Sequence, residues 1–200
     1  MVTVNKKAEQ VLLILLRNMF SIHTATSLAN KVGMSRWGIW KILKELEYSN
    51  LILLTPIGSG KTSAYTVRLE WDSPILNSLL ILGLTKESLE YERWRANFRE
   101  LSDHTEFLIL YGSIIHSPKE ANDIDILGVV SNKKSFVKIN EIISKIQKTQ
   151  TKKIHSINFT PAEFSYELKK SNKAFIDALK KGIILYGQDN FVKFIKEFKK

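Results

Sequence analysis

Leu108-Ile109-Leu110-Tyr111-Gly112-Ser113, followed after nine residues by Asp123-Ile124-Asp125-Ile126-Leu127, decides how this chain reads. An apolar strand delivers a Gly-Ser turn. Glycine lets backbone amides approach a phosphate with no Cβ in the way, and serine adds a hydroxyl donor. A helix expected directly after the turn would turn its N-terminus toward anionic oxygens. The Asp-x-Asp falls on the next apolar run. Side chains two apart on a strand share a face, so Asp123 and Asp125 converge while Ile124 and Ile126 face the core. Two adjacent carboxylates repel each other unless a cation lies between them. Mg²⁺ suits that geometry because it takes oxygen ligands and completes its shell with water and phosphate.

Strands and helices alternate around this segment. Phe107–Tyr111 and Ile124–Val130 read as strands, and Ser135–Gln147 as a helix. Lys153–Phe159 reads as a further strand. Pro161 opens a helix at a position where its missing amide costs nothing. Ala174–Lys181 is helical, Ile183–Tyr186 a short strand, and Phe191–Lys199 a terminal helix. Upstream, Glu87 to Asp103 reads as one long helix carrying Tyr91, Trp94, Phe98 and Leu101 on a single face.

Tyr111-Gly112-Ser113 with Asp123-Ile124-Asp125 resembles the signature of the polymerase-β-like nucleotidyltransferase superfamily, specifically its minimal members. The resemblance spans about residues 85–190. It includes the endings Phe159-Thr160-Pro161-Ala162-Glu163-Phe164 and Gly182-Ile183-Ile184-Leu185-Tyr186-Gly187. It implies transfer of a nucleoside monophosphate from an NTP to a hydroxyl acceptor. Gly112 and Ser113 would bind the triphosphate, with His116 and Lys119 as further phosphate contacts. Asp123 and Asp125 would be catalytic and hold Mg²⁺ (or Mn²⁺). Fully active relatives supply a third carboxylate from the next strand, which helps to deprotonate the acceptor. Lys153-Ile154-His155-Ser156-Ile157-Asn158-Phe159 contains none. His155 is the candidate replacement, as base or ligand, and Glu163 on the following helix is a second candidate.

The first 70 residues have a different pattern. Val11, Leu12, Leu15, Leu16 and Met19 recur at helical spacing. A second helix covers about Thr26–Val32, and Gly33 permits a tight turn. Ser35 caps a third helix, Arg36–Tyr48. Leu51–Thr55 and Ala64–Leu69 form a hairpin. This order resembles the winged helix-turn-helix of DNA-binding regulators. The resemblance implies that Arg36, Trp37, Trp40, Lys41 and Lys44 meet double-stranded DNA and that Lys61 on the wing meets a phosphate. The competing reading is a packing or dimerisation element with the tryptophans buried. Gly58-Ser59-Gly60-Lys61-Thr62 ends like a phosphate-binding P-loop. The motif needs another glycine where Thr55 stands and a helix after Lys-Thr, whereas Ala64-Tyr65-Thr66-Val67 reads as a strand.

The expected fold class is therefore α+β. A winged helix-turn-helix (1–70) and connecting helices (71–104) precede a nucleotidyltransferase α/β domain with a mixed sheet (105–200). Trp71–Leu84 is mainly apolar and is expected to pack between the halves. The apolar fraction of 44% and charged fraction of 25% are those of a soluble globular protein. The chain has no cysteine, which excludes disulfides and thiolate metal sites. No apolar run reaches the roughly 18 residues of a membrane span, and Met1–Lys7 lacks a signal-peptide pattern. A cytoplasmic protein without membrane contact is expected.

The net charge of +10 is distributed, with nine Lys and Arg against five Asp and Glu in residues 1–84 and 21 against 15 beyond. That excess favours polyanionic partners. The partners expected are a nucleotide and double-stranded DNA, with a protein partner and a homodimer as further expectations. The alternative to an enzyme is a DNA-binding regulator or antitoxin-like protein. Its degenerate nucleotidyltransferase domain would bind nucleotide or a partner without turnover.

Overall fold

In the computed structural model, which describes residues 4–58 and 64–199, helix α1 (Lys6–Arg17) starts where Asn5 can cap it. The Asn5 side chain accepts the Ala8 N–H at 2.9 Å. Val11, Leu12, Leu15 and Leu16 form its buried stripe. Helix α2 (Ala25–Val32) opens on a reciprocal capping box between Thr24 and Ser27. It ends at Gly33, whose φ of 67° is the left-handed conformation that favours glycine. Ser35 then accepts the Gly38 N–H at 3.1 Å and starts α3 (Arg36–Tyr48), where Ile39, Ile42, Leu43 and Leu46 face inward.

Strands β1 (Ile52–Ile57) and β2 (Ala64–Leu69) pair antiparallel, with Ile52 opposite Leu69 and Ile57 opposite Ala64. Thr24 bridges Thr66 and ties the hairpin to the chain before α2. Three helices and a hairpin in this order make a winged helix-turn-helix arrangement. β1 runs on past Thr55 through Pro56, whose missing N–H is tolerated on a two-stranded ribbon. A strand, β2, and not a helix, follows the P-loop-like stretch. Lys61 lies outside the described residues, as do Ser59, Gly60 and Thr62.

The chain divides into two units, Met1–Gly83 and Leu84–Lys200. The division falls inside helix α4 (Pro74–Leu89) rather than in a linker. The expected helix from Glu87 to Asp103 is broken. It comprises the end of α4, helix α5 (Glu92–Asn97) and a 3₁₀ segment, Arg99–Asp103. The backbone hydrogen bonds show the breaks. Tyr91, Trp94 and Leu101 donate their amides three residues back, to Ser88, Tyr91 and Phe98. Such tighter winding turns residues three apart to one side, and Trp94, Phe98 and Leu101 are all buried.

The second unit is built on a four-stranded mixed sheet, β5 (Lys153–Phe159), β4 (Asp123–Val129), β3 (Phe107–Tyr111) and β6 (Ile183–Tyr186) in spatial order. β4 is antiparallel to β3 and parallel to β5. One face presents Leu108, Leu110, Ile124, Ile126 and Ile154 to Trp94, Phe98, Leu101 and helix α7 (Ser135–Gln147), with the one-turn α6 (Ser113–His116) between β3 and β4. The other face carries Phe107 and Phe159. These rings pack with Phe164 of α8 (Pro161–Lys169), Phe175 of α9 (Lys173–Lys181) and Phe191 and Phe194 of α10 (Gln188–Phe198). Each buried phenylalanine contributes about 1.5–3 kcal/mol. The aromatic cover stops short of the start of β4. Leu127 and Val129 are buried there, whereas Asp123 and Asp125, on the same face, are partly open to solvent. No described helix is long and apolar enough to cross a membrane.

Candidate functional site

Asp123 and Asp125 alternate with buried Ile124 and Ile126 on β4, so both carboxylates share one face. The parallel register sets His155 of β5 opposite Asp125. Its Nδ1 lies 3.3 Å from Asp123 Oδ2 and 3.5 Å from Asp125 Oδ1. A ligating atom from each of the three side chains lies within 4.8 Å of the others. Among the described residues this is the group with the spacing of a metal centre. Burial, then the Asp123 charge, pushes the Asp125 carboxyl above its usual range, against a smaller opposing effect of His155. Burial also raises the Tyr111 hydroxyl, followed by the charges of Asp125 and Asp123. Burial dominates both shifts, and the paired carboxylate charges add to it in the direction that a cation would reverse.

Gly112 stands against this cluster. Its φ is 82°, and a Cβ built there would come within 2.3 Å of Asp125 Oδ2. The glycine therefore serves two requirements, a left-handed turn and room for the carboxylate. Ser113 follows at the head of α6, with an exposed side chain. The helix expected after the turn is a single turn of four residues. Its dipole is correspondingly small, so any anion held here depends on the serine hydroxyl and local amides. His116, the last residue of α6, is exposed and does not join the three-residue cluster. Lys119 is exposed in the loop that follows.

Two residues of this neighbourhood were not singled out by pattern. Tyr111 is half-buried and electrostatically coupled to both carboxylates. The ammonium of Lys152 donates to the Lys119 carbonyl at 3.4 Å and to the Ala121 carbonyl, tying the loop before Asp123 to the start of β5. No sequence signal marks that lysine. Glu163, a candidate for the missing carboxylate, is committed elsewhere. It accepts from the Thr160 backbone and hydroxyl at 2.9 Å each and pairs with Lys133 at 2.7 Å, closing the cap of α8. Those contacts, Lys133 first, hold its carboxyl down at about 2. The only β5 side chain facing the aspartate pair as a candidate ligand is His155.

In the first unit, α3 exposes a basic and aromatic face. Arg36, Trp37, Lys41 and Lys44 are exposed, and Trp40 is half-buried. Trp37 is 70% exposed, so the reading that buries both tryptophans fails for it. The Lys41 ammonium lies 4.9 Å from the Trp37 ring centre, one helical turn away. Trp40 packs on Tyr65 of β2 at 5.3 Å, and Lys44 lies over Trp40 at 5.1 Å. Lys44 also pairs with Glu47 at 2.8 Å, which offsets part of its charge.

No family model and no curated protein matches the chain. Among solved structures, ZitR of Lactococcus lactis, a zinc-responsive MarR family member, shares 16% identity over 74% of this chain and 77% of that chain, with a TM-score of 0.34. Two mutant forms of ZitR share 15% identity over 74% of this chain, with TM-scores of 0.34 and 0.33. Superposition that loose carries no weight for the function of this chain.

Proposed function

We propose that the second unit binds a nucleoside triphosphate with Mg²⁺ or Mn²⁺ and transfers its nucleoside monophosphate to a hydroxyl acceptor. The first unit binds double-stranded DNA. The observation that carries the first part is the Asp123, Asp125 and His155 cluster set against the Gly112 turn. The space that a Gly112 Cβ would fill is taken by Asp125 Oδ2, and a phosphate oxygen would be held by the Ser113 hydroxyl and the local amides. Asp123 and Asp125 would hold the cation, whose charge would neutralise the triphosphate. The acceptor oxygen bonds to the α-phosphorus, the bond to the pyrophosphate oxygen breaks, and pyrophosphate leaves. The acceptor proton passes to water, to which this partly exposed site is open. Incubation with α-labelled NTPs, Mg²⁺ or Mn²⁺ and cell extract tests the reading. Acceptor labelling that disappears in Asp123→Ala supports transfer.

A second reading has its own observation. β5 offers His155 and no carboxylate, so the unit would bind nucleotide without turnover and regulate the DNA-binding unit. Metal-dependent nucleotide binding without labelling of any acceptor favours this reading. DNA binding is supported by the exposed Arg36, Trp37 and Lys41 on α3. Affinity for duplex DNA that does not fall with rising salt would count against it, because phosphate contacts release counterions.

A further inference from the structure

The chemistry of His155 narrows which metal ion the site takes. Its Nδ1 is 3.3 Å from one aspartate oxygen and 3.5 Å from the other. Donors in neighbouring positions around an ion with bonds of about 2.0–2.1 Å sit about 3.0–3.4 Å apart. The imidazole nitrogen thus already stands at nearly the separation of one coordination sphere from each carboxylate, and the three ligating atoms lie within 4.8 Å of one another. Strand register produces this, since His155 sits opposite Asp125 in the parallel ladder. Gly112 independently leaves the space that Asp125 Oδ2 occupies, which any Cβ at that position would enter. A third carboxylate here would make an all-oxygen site suited to Mg²⁺. An imidazole changes the donor set to one nitrogen and two carboxylates. Imidazole binds first-row transition ions far better than it binds Mg²⁺, which holds its water tightly and selects oxygen.

We infer that His155 is a metal ligand through Nδ1 and makes this centre selective for a first-row divalent transition ion over Mg²⁺. The inference rests on the metal-site reading above and assigns His155 to the ion rather than to the acceptor's proton. It also gives Mn²⁺ precedence over Mg²⁺ as the activating ion.

The test uses the full chain with Mn²⁺ and Co²⁺ as probes, in the absence of nucleotide. Pulsed electron paramagnetic resonance of bound Mn²⁺ should show coupling to a nitrogen nucleus. Co²⁺ should bind with one-to-one stoichiometry, followed by its visible absorption. Mg²⁺ should displace Co²⁺ only at an excess on the order of 100-fold or more. His155→Asp, which supplies the third carboxylate, should abolish the nitrogen coupling and lower the Mg²⁺ excess needed by about 10- to 100-fold. Asp123→Asn should remove both ions and identifies binding elsewhere on the surface. Mn²⁺ bound in an Asp123-dependent manner without nitrogen coupling, or with selectivity unchanged in His155→Asp, would overturn the inference and leave the metal-site reading intact. Failure of every ion to bind would overturn both. The nitrogen coupling is read on the unaltered protein, so the test survives a variant that does not fold.

Discussion

Ionised Asp125 is unfavourable in the metal-free fold, because burial and the Asp123 charge both oppose it and raise its pKa. A raised folded-state pKa means that the fold favours the neutral acid. That contribution is complete below the ordinary carboxylate range and is lost as pH rises through the raised value. Asp125→Asn should therefore raise the metal-free melting temperature at pH 7.5, with little change at pH 4, while abolishing Mn²⁺ binding. Thermal unfolding in chelator at both pH values reads this, and a lower melting temperature at pH 7.5 would contradict it. Proton competition follows from the same shift, so metal affinity should decline with falling pH before an ordinary carboxylate would titrate. Gly112 gives a second residue-level prediction. Gly112→Ala meets both a left-handed φ and the Asp125 carboxylate at 2.3 Å. The backbone alone costs about 1–3 kcal/mol, because positive φ with extended ψ is a conformation essentially confined to glycine, and Asp125 must also move. Gly33→Ala is the control, because Gly33 shares the left-handed φ but a Cβ there would meet nothing within 4 Å. Both variants should melt lower, but only Gly112→Ala should weaken Mn²⁺ binding in calorimetry.

Helix α8 shows what capping contributes at the scale of an element. Thr160→Ala removes the N-cap oxygen that accepts the Glu163 N–H and should cost about 1 kcal/mol in urea unfolding. Glu163 has the opposite linkage to Asp125. Lys133, then Thr160, depress its pKa from 4.5 to about 2. Its stabilisation is present above the ordinary value and is lost as pH falls from 4.5 toward 2. Glu163→Gln should thus melt lower near neutral pH and converge with the parent protein in strong acid. Convergence that is absent would mean the cap acts by hydrogen bonding alone. Helix starts with such caps were legible in the sequence, and so was α7, which has no side-chain cap. Ser35 and Thr160-Pro161 mark the first residues of α3 and α8, because a side-chain oxygen or a proline ring acts within one turn of the boundary. The breaks between Leu89 and Arg99 were not legible, because spacings of three residues fit one long α-helix and tighter turns equally well. α6 was expected to be a helix and is a single turn of four residues. The aspartate pair was legible because strand alternation is local. His155 was named through the resemblance as the candidate on the next strand, but its distance from the pair was not legible, because it depends on the register between β4 and β5, whose partners are 30 residues apart.

At the scale of the whole molecule, the net charge of +10 exceeds what the α3 face accounts for. Much of it lies on residues 85–200, where Lys and Arg number 21 against 15 acids. A polyanion could therefore bind through charge spread over both units, or through α3 specifically, and these differ in what substitutions do. Each proposed site is built wholly from residues of one unit: Arg36, Trp37 and Lys41 in Met1–Gly83, and Gly112, Asp123, Asp125 and His155 in Leu84–Lys200. Groups that share no partner contribute additively. Lys41→Glu with Arg36→Ala should weaken duplex DNA binding and flatten its dependence on salt, since each lost phosphate contact lowers the slope by about 0.9. Lys44→Glu should matter less, because Glu47 already pairs with that lysine. None of these changes should alter Mn²⁺ affinity. Asp123→Asn should abolish Mn²⁺ binding and leave metal-free DNA affinity within about twofold, as expected for uncoupled sites. Combining the two sets closes a cycle, read by fluorescence anisotropy of labelled duplex with and without Mn²⁺ and nucleotide. Additive effects mean that the winged helix only delivers the second unit to DNA. An excess coupling of about 1 kcal/mol or more, present only with Mn²⁺ and nucleotide, would mean that the second unit controls the first. Unchanged DNA binding in the α3 variants would place the interface on the basic surface of residues 85–200 and overturn its assignment to the winged helix.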